Sequence, residues 1–239
     1  MTKTLFIAGA TGLTGRAAVD HAAGLGLRVH AHVRPDSSRR DAWIARFEAA
    51  GAVPDTTAWE EGAMTETLAR VQPDAVLALL GTTRKRARQA KQRGADPAAE
   101  SYEAVDYGLT ALLRRAAEAS GVSPRFVYLS AVGVNPGAKN PYMAVRARVE
   151  AELREGALPW VVARPSFILG DRDEARAGES VGAGLADGAL RLLGALGATT
   201  TRDRYSSMTG EQLARAMVSL AVNDGVEGEV FETERLRRL

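Results

Sequence analysis

Seven residues near the start of the chain, Gly9-Ala10-Thr11-Gly12-Leu13-Thr14-Gly15, have the types and spacing to hold an anion. Glycines let a backbone turn tightly and approach a phosphate closely. The first N–H groups of a helix, at the positive end of its dipole, can then donate to that phosphate. The spacing is Gly-x-x-Gly-x-x-Gly rather than Gly-x-Gly-x-x-Gly, so its context carries the reading. The apolar run Leu5-Phe6-Ile7-Ala8 precedes it, and the small-residue helical pattern Arg16-Ala17-Ala18-Val19-Asp20 follows it. Strand, glycine turn and helix at the first such junction of an alternating chain predict a dinucleotide pyrophosphate site. Gly9, Thr11, Gly12, Leu13, Thr14 and Gly15 are its candidate contacts.

The second chemically informative stretch follows Arg28-Val29-His30-Ala31-His32-Val33, whose alternation reads as a strand. Its tip is where a dinucleotide fold distinguishes its cofactors: an acid accepts from the adenosine ribose hydroxyls, and a cation pairs with an added 2′-phosphate. Here the tip is Arg34, followed by Pro35-Asp36-Ser37-Ser38-Arg39-Arg40. A planar, permanently charged guanidinium suits a phosphate, and Ser37 or Ser38 could add a hydroxyl. Asp36 lies near the position of an NAD-binding acid, but it follows a proline and precedes the helical pattern Ser37–Ala50, which suits an N-cap. The preferred cofactor is NADP(H), contacted by Arg34 and Arg39, with NAD(H) as the alternative. Arg39 and Arg40 also fit a solvated first helical turn. His30 and His32 read as half-buried strand residues rather than a catalytic pair.

The elements that must position these residues alternate along the chain. Strands are expected over 3–8, 28–33, weakly over 51–57, and over 74–80, 125–129 and 160–163, with a late edge strand at 229–232. Helices are expected over 13–25, 37–50, 66–71, 98–120, 142–155 and 212–222. Trp59, after the weak third strand, suits either an adenine pocket or the core. Residues 84–93 hold six cations and no acid, and read as an exposed loop or helix, or as a basic flap for an anionic substrate. This alternation predicts an α/β fold, a doubly wound parallel Rossmann sheet. A single domain over 1–239 is expected, with a small C-terminal substrate-side portion over about 165–239. Loops after the strands' carboxyl ends face the ligand in such a sheet, so Leu80, Gly81 and Thr82 should approach the cofactor.

Bulk properties narrow the classes. The 239 residues include no cysteine, which excludes disulfides, thiolate metal sites and a cysteine nucleophile; with three histidines, no metal site is expected. A net charge of +2 gives no argument for nucleic acid. No apolar run is long enough to span a bilayer, and the absence of a signal-peptide pattern predicts a cytoplasmic protein that is not membrane-bound.

The glycine turn after an N-terminal strand resembles the extended and atypical short-chain dehydrogenase/reductase superfamily, Rossmann proteins that bind NAD or NADP. Leu80-Gly81-Thr82-Thr83-Arg84, Val149-Glu150-Ala151-Glu152-Leu153 and Arg164-Pro165 with Gly170-Asp171-Arg172 are most similar to its Tat-interacting-protein-like group. Members of that group bind NADPH, and several are regarded as regulators. Val105-Asp106-Tyr107 resembles the segment that braces the active-site side. The resemblance implies a catalytic tyrosine and a lysine four residues later on one helix face, with a serine at the preceding strand end. The tyrosine protonates a carbonyl oxygen as hydride arrives, and the serine polarises that oxygen. This chain carries Tyr142 and, at the lysine position, Arg146; the usual second serine is Ala131, leaving Ser130 one residue early. The resemblance also places Arg164 and Pro165 along the nicotinamide, and Tyr142 and Arg146 beside the ribose.

Two functions follow as expectations. One is an NADP(H)-dependent oxidoreductase acting on a small carbonyl or quinone-like substrate, with a degenerate Ser-Tyr-Lys site. The other is a catalytically weak NADP(H)-binding regulator or scaffold read by a protein partner. An epimerase or dehydratase is a third reading, and the short portion after residue 165 argues against a bulky nucleotide-sugar. Oligomeric state is left open.

Overall fold

Four apolar runs, each alternating between two sets of neighbours, form the centre of the computed structural model. It describes residues 2–82, 84–92, 94, 96–169 and 207–239. Strands β1 (Thr4–Ala8), β4 (Ala75–Ala78), β5 (Arg125–Leu129) and β6 (Trp160–Arg164) are buried almost throughout. Burial on both faces is the condition of a parallel sheet covered by helices, and it explains the near-continuous apolar character of these strands. Leu5, Ile7, Ala75, Leu77, Val127, Val161 and Ala163 point to one layer. Phe6, Ala8, Val76, Ala78, Phe126, Tyr128 and Val162 point to the other.

With β2 (Arg28–His32), β3 (Val53–Asp55) and β9 (Glu229–Glu232), the sheet has the order β3-β2-β1-β4-β5-β6-β9. Every neighbouring pair is parallel, Leu5 lying opposite Val29 and Ala75. The late strand is an edge strand, as its sequence suggests. The order runs outward from β1 in one direction and from β4 in the other. Between them lies the switch point at which such sheets open a crevice for ligands.

One helical layer contains α1 (Leu13–Gly24), α2 (Arg40–Ala49) and α7 (Gly210–Val222). The other contains α3 (Glu61–Val71), α5 (Thr110–Ala119) and α6 (Pro141–Glu155). A capping box between Thr209 and Gln212 starts α7, and Asn140 with Pro141 starts α6. The short strands β7 (Ile168–Leu169) and β8 (Met208–Thr209) pair parallel in a separate two-stranded sheet that the sequence pattern does not signal. Of the expected substrate-side portion, α7 and β9 join the central layers. Residues 170–206, including Gly170-Asp171-Arg172, and Thr83 lie outside the described residues. Among the described residues, no helix is long and apolar enough to cross a membrane, and no cluster of metal-ligating side chains occurs.

Two expectations, on the second helix and on the long helix, are corrected. The second helix begins at Arg40 with Arg39 as its N-cap, not at Ser37 with Asp36. A turn in which Arg40 N–H donates to the Ser37 carbonyl delays it. The basic stretch contains helix α4 (Arg84–Gln92), the helical one of the two forms expected for it. The long helix expected over 98–120 is three pieces: a 3₁₀ turn at Pro97–Glu100, a π-helical segment at Tyr102–Leu109, and α5. Ser101, in extended conformation, breaks the helix between the first two. Its hydroxyl accepts from Ala104 N–H, competing with helical continuation.

Candidate functional site

Gly9 has φ +81°, and a Cβ there would lie 2.5 Å from the Leu79 carbonyl oxygen. Only glycine fits a left-handed turn pressed against the end of β4. A Cβ on Gly15 would lie 2.1 Å from the Gly9 carbonyl oxygen, so Gly15 lets α1 start against the turn. Gly12 is different. It is exposed, N-caps α1 in extended conformation and offers no side-chain acceptor to the first-turn N–H groups. A cradle shaped by half-buried Gly9 and buried Gly15, with an uncapped helix start above it, fits a pyrophosphate. Thr11 and Leu13 are half-buried beside it, and Thr14 is buried in the first turn of α1.

At the tip of β2, Arg34 lies 3.7 Å from Asp36 and 3.5 Å from Glu100. Ser37, Ser38, Arg39 and Arg40 line an open concavity immediately after it. The Arg39 guanidinium stands 4.7 Å over the Trp43 ring. His32 is buried, its Nε2–H donating to the Thr57 carbonyl at 2.8 Å, while its ring meets Trp59 edge-on at 4.7 Å. Burial holds both His30 and His32 below the ordinary imidazole pKa. Trp59 packs against the core cluster beneath the sheet.

One face of α6 carries a ladder at four-residue spacing, Tyr142, Arg146, Glu150 and Arg154, with its two middle rungs buried. Each rung has partners from other elements. Arg146 is buried and pairs with buried Asp106 of the π-helical segment at 2.8 Å. Arg146 also donates to the Leu129 carbonyl at the end of β5. Its guanidinium carbon lies 4.5 Å from the Tyr142 ring centroid, a cation–π contact. Burial alone would lower the guanidinium's pKa, but the oxygens of Tyr142, Tyr128 and Asp106 raise it overall. Its Nε–H is buried without an acceptor among the described residues. Tyr142 is half-buried and meets Tyr102 edge-on at 5.3 Å.

The Asp106 carboxylate has a second task. Its other oxygen accepts from the Thr82 backbone N–H at 2.9 Å. A Cβ on Gly81 would lie 3.4 Å from Asp106 and 3.5 Å from Arg146. The loop after β4 therefore rests on the ion pair, with Leu80 anchored in the core below. Thr82 is buried, and its hydroxyl lies 3.4 Å from Glu100.

Ser130 is buried, and its hydroxyl donates to Glu150 at 2.6 Å. Arg164 donates two hydrogen bonds to the same carboxylate, and Arg154 a third at 2.9 Å. Burial would raise the Glu150 pKa, but Arg164, Ser130 and Arg154 hold it below the ordinary carboxyl value. Glu150 in turn raises Arg164. The Pro165 carbonyl accepts from Val132 N–H at 2.9 Å, pinning the loops after β5 and β6 together. Ser130, Arg164 and Pro165 thus form a brace between strand ends.

The structure brings Tyr142, Arg146, Gly81 and Thr82 together. The Ser130 hydroxyl proton is committed to Glu150, one rung further along α6. Tyr102 and Glu100 belong to the site region without having been singled out from sequence, and Asp106, named there only within a bracing segment, proves to be the partner of Arg146. Asp106 had a signal: a lone carboxylate within the apolar helical spacing of Tyr102, Val105 and Leu109.

A family model described as NAD(P)H-binding matches residues 9–189. The protein FMP52-1, mitochondrial, of Scheffersomyces stipitis is 29% identical over 85 residues, which are 35% of this chain and 37% of that protein. The chain thus spans about a third of the length of this curated relative. Among solved structures, Bordetella bronchiseptica WbmH in complex with NAD+ has a TM-score of 0.65 and 19% identity, over 97% of this chain and 75% of that one. The Brucella ovis UDP-glucose 4-epimerase in complex with NAD has a TM-score of 0.65 and 17% identity, over 97% and 77%. At such identities the structural likeness concerns the fold.

Proposed function

Because the chain belongs to the NAD(P)H-binding family, whose model covers the glycine turn and the α6 ladder alike, we propose that it is an NADP(H)-dependent oxidoreductase of the short-chain reductase type. Its substrate is a small carbonyl or quinone-like compound. The observation that carries this reading is the stacking of Tyr142 on Arg146, beside the loop that follows β4. The uncapped start of α1 suits the pyrophosphate, and Arg34 with the concavity of Ser37, Ser38 and Arg39 suits a 2′-phosphate. The nicotinamide supplies or accepts the hydride when bound.

The chain's own residues handle the proton. Tyr142 donates its hydroxyl proton to the substrate oxygen in reduction and takes it back in oxidation. Arg146, held by Asp106 and the Leu129 carbonyl, stabilises the charge that develops on the tyrosine oxygen. Substrate-oxygen polarisation by a serine is absent from this scheme, since the Ser130 proton is engaged by Glu150.

That engagement favours a second reading, a weak catalyst whose dinucleotide-bound state is recognised by a protein partner. One series separates the two: titrate NADPH and NADH by cofactor fluorescence, then assay a panel of small aldehydes, ketones and quinones with parent and Tyr142→Phe. Tight NADPH binding with turnover lost in Tyr142→Phe supports the reductase. Binding without turnover across the panel supports the regulator. Binding of neither dinucleotide overturns both.

A further inference from the structure

Glu100 occupies an unusual place. Arg34 follows β2 and Thr82 follows β4, the two strands that flank β1 and its glycine turn. One oxygen of Glu100 lies 3.5 Å from Arg34 Nη1, and the other lies 3.4 Å from the Thr82 hydroxyl. The carboxylate therefore spans the two shoulders of the crevice. Its backbone is held on both sides. Asp96 accepts from Ala98 N–H at 2.8 Å at the start of the 3₁₀ turn, and Ser101 accepts from Ala104 N–H at 3.1 Å immediately after it. The Glu100 side chain is only 16% exposed, against 38% for Arg34. With Asp36 at 3.7 Å, the cation expected to meet a 2′-phosphate already faces two carboxylates.

We propose that Glu100 determines dinucleotide selectivity, as the counter-ion that a 2′-phosphate must displace from Arg34. This rests on the reading of the crevice as an NADP(H) site. A dianionic phosphate gains a charge-assisted bidentate contact with Arg34 but meets a like charge while Glu100 stays within reach. A bare ribose meets no such repulsion. Glu100 thereby narrows the gap between the two cofactors.

The test is a titration of NADPH and NADH against the full chain carrying Glu100→Gln, with Glu100→Ala as a second variant and Arg34→Ala as background. The expected result is an NADPH affinity about tenfold higher in Glu100→Gln, with NADH changed by about twofold at most. In the Arg34→Ala background, the gain must disappear. An NADPH-to-NADH affinity ratio unchanged in both Glu100 variants overturns the proposal while leaving the cofactor reading intact. A gain that persists without Arg34 also overturns it, since Glu100 would then act elsewhere. Loss of NADH affinity alone would make Glu100 a ribose acceptor instead. A parent protein that binds NADH only, or neither dinucleotide, removes the NADP(H) reading and this inference together.

Discussion

The carboxylate of Asp106 joins Arg146 to the backbone of Thr82, so one buried acid ties the tyrosine helix to the loop after β4. Removing it leaves a guanidinium buried without its counter-charge. Breaking a buried pair from one side costs about 3–5 kcal/mol. Asp106→Ala is expected to lower stability by that order in urea unfolding. Asp106→Asn keeps one acceptor oxygen but turns an amide N–H donor toward the other neighbour, so it should also destabilise, by less than alanine because the space stays filled. Equal midpoints for parent and Asp106→Ala would deny the pair its structural role.

Arg146→Lys tests the chemistry of the same cation. Lysine keeps the charge but cannot hold Asp106 and the Leu129 carbonyl with a planar fork. Freed from part of that network, its ammonium can approach the Tyr142 oxygen. Turnover of a small carbonyl should rise while dinucleotide affinity changes little. Unchanged turnover and binding would remove Arg146 from the site.

The glycines of the turn separate folding from binding. Gly15→Ala puts a methyl group 2.1 Å from the Gly9 carbonyl and should destabilise the fold, seen as a lowered thermal midpoint. Gly12 is exposed, and its added Cβ comes only to 3.3 Å from the Gly9 carbonyl. Gly12→Val should keep a folded protein and lose NADPH binding in the fluorescence titration. Retained affinity would remove the pyrophosphate from this turn.

Arg34→Ala should weaken NADPH by about tenfold or more, on the scale of a charge-assisted pair, and NADH far less. Equal losses for the two dinucleotides would shift the adenosine contact away from Arg34.

His30 and His32 make stability depend on pH. Their folded values lie below the ordinary 6.5 because burial disfavours the charged ring. As pH falls below that value, the unfolded chain takes up protons that the folded chain refuses, so stability drops. The contribution is complete above about pH 6.5 and is lost down to the folded pKa values. The urea midpoint should be lower at pH 5.5 than at pH 8, and His32→Gln should reduce the difference. Glu150, depressed from the ordinary 4.5, adds its loss only at lower pH.

The strands and the glycine turn are legible in the sequence because their signals are local. Leu5-Phe6-Ile7-Ala8 is apolar wherever it is placed, and Gly9 answers a backbone constraint within a few residues. The break at Ser101 is less legible: apolar spacing over Tyr102, Val105 and Leu109 suits an α-helix and a π-helical segment alike. A serine that caps its own chain sets where the segment begins. Asp36 shows the same limit, since a Ser37 turn moves the helix start to Arg40. The charged partners of Arg146 and Ser130 are invisible because Asp106 and Glu150 lie 40 and 20 positions away. Helical spacing places Tyr142 and Arg146 on one face, and only the packed structure says what that face meets.

Gly210, the first residue of α7, presses on Leu13 closely enough that a Cβ there would come within 2.8 Å of the leucine Cγ. The first helical residue after the glycine turn is thus packed against a segment translated almost two hundred positions later. During synthesis, at about 5–20 residues per second, the turn leaves the ribosome many seconds before the helix that covers it. Until then the α1 layer keeps part of its apolar surface uncovered. The earliest-made piece of the dinucleotide site is therefore among the last to be completed, and the nascent chain meets the cell as a half-covered sheet.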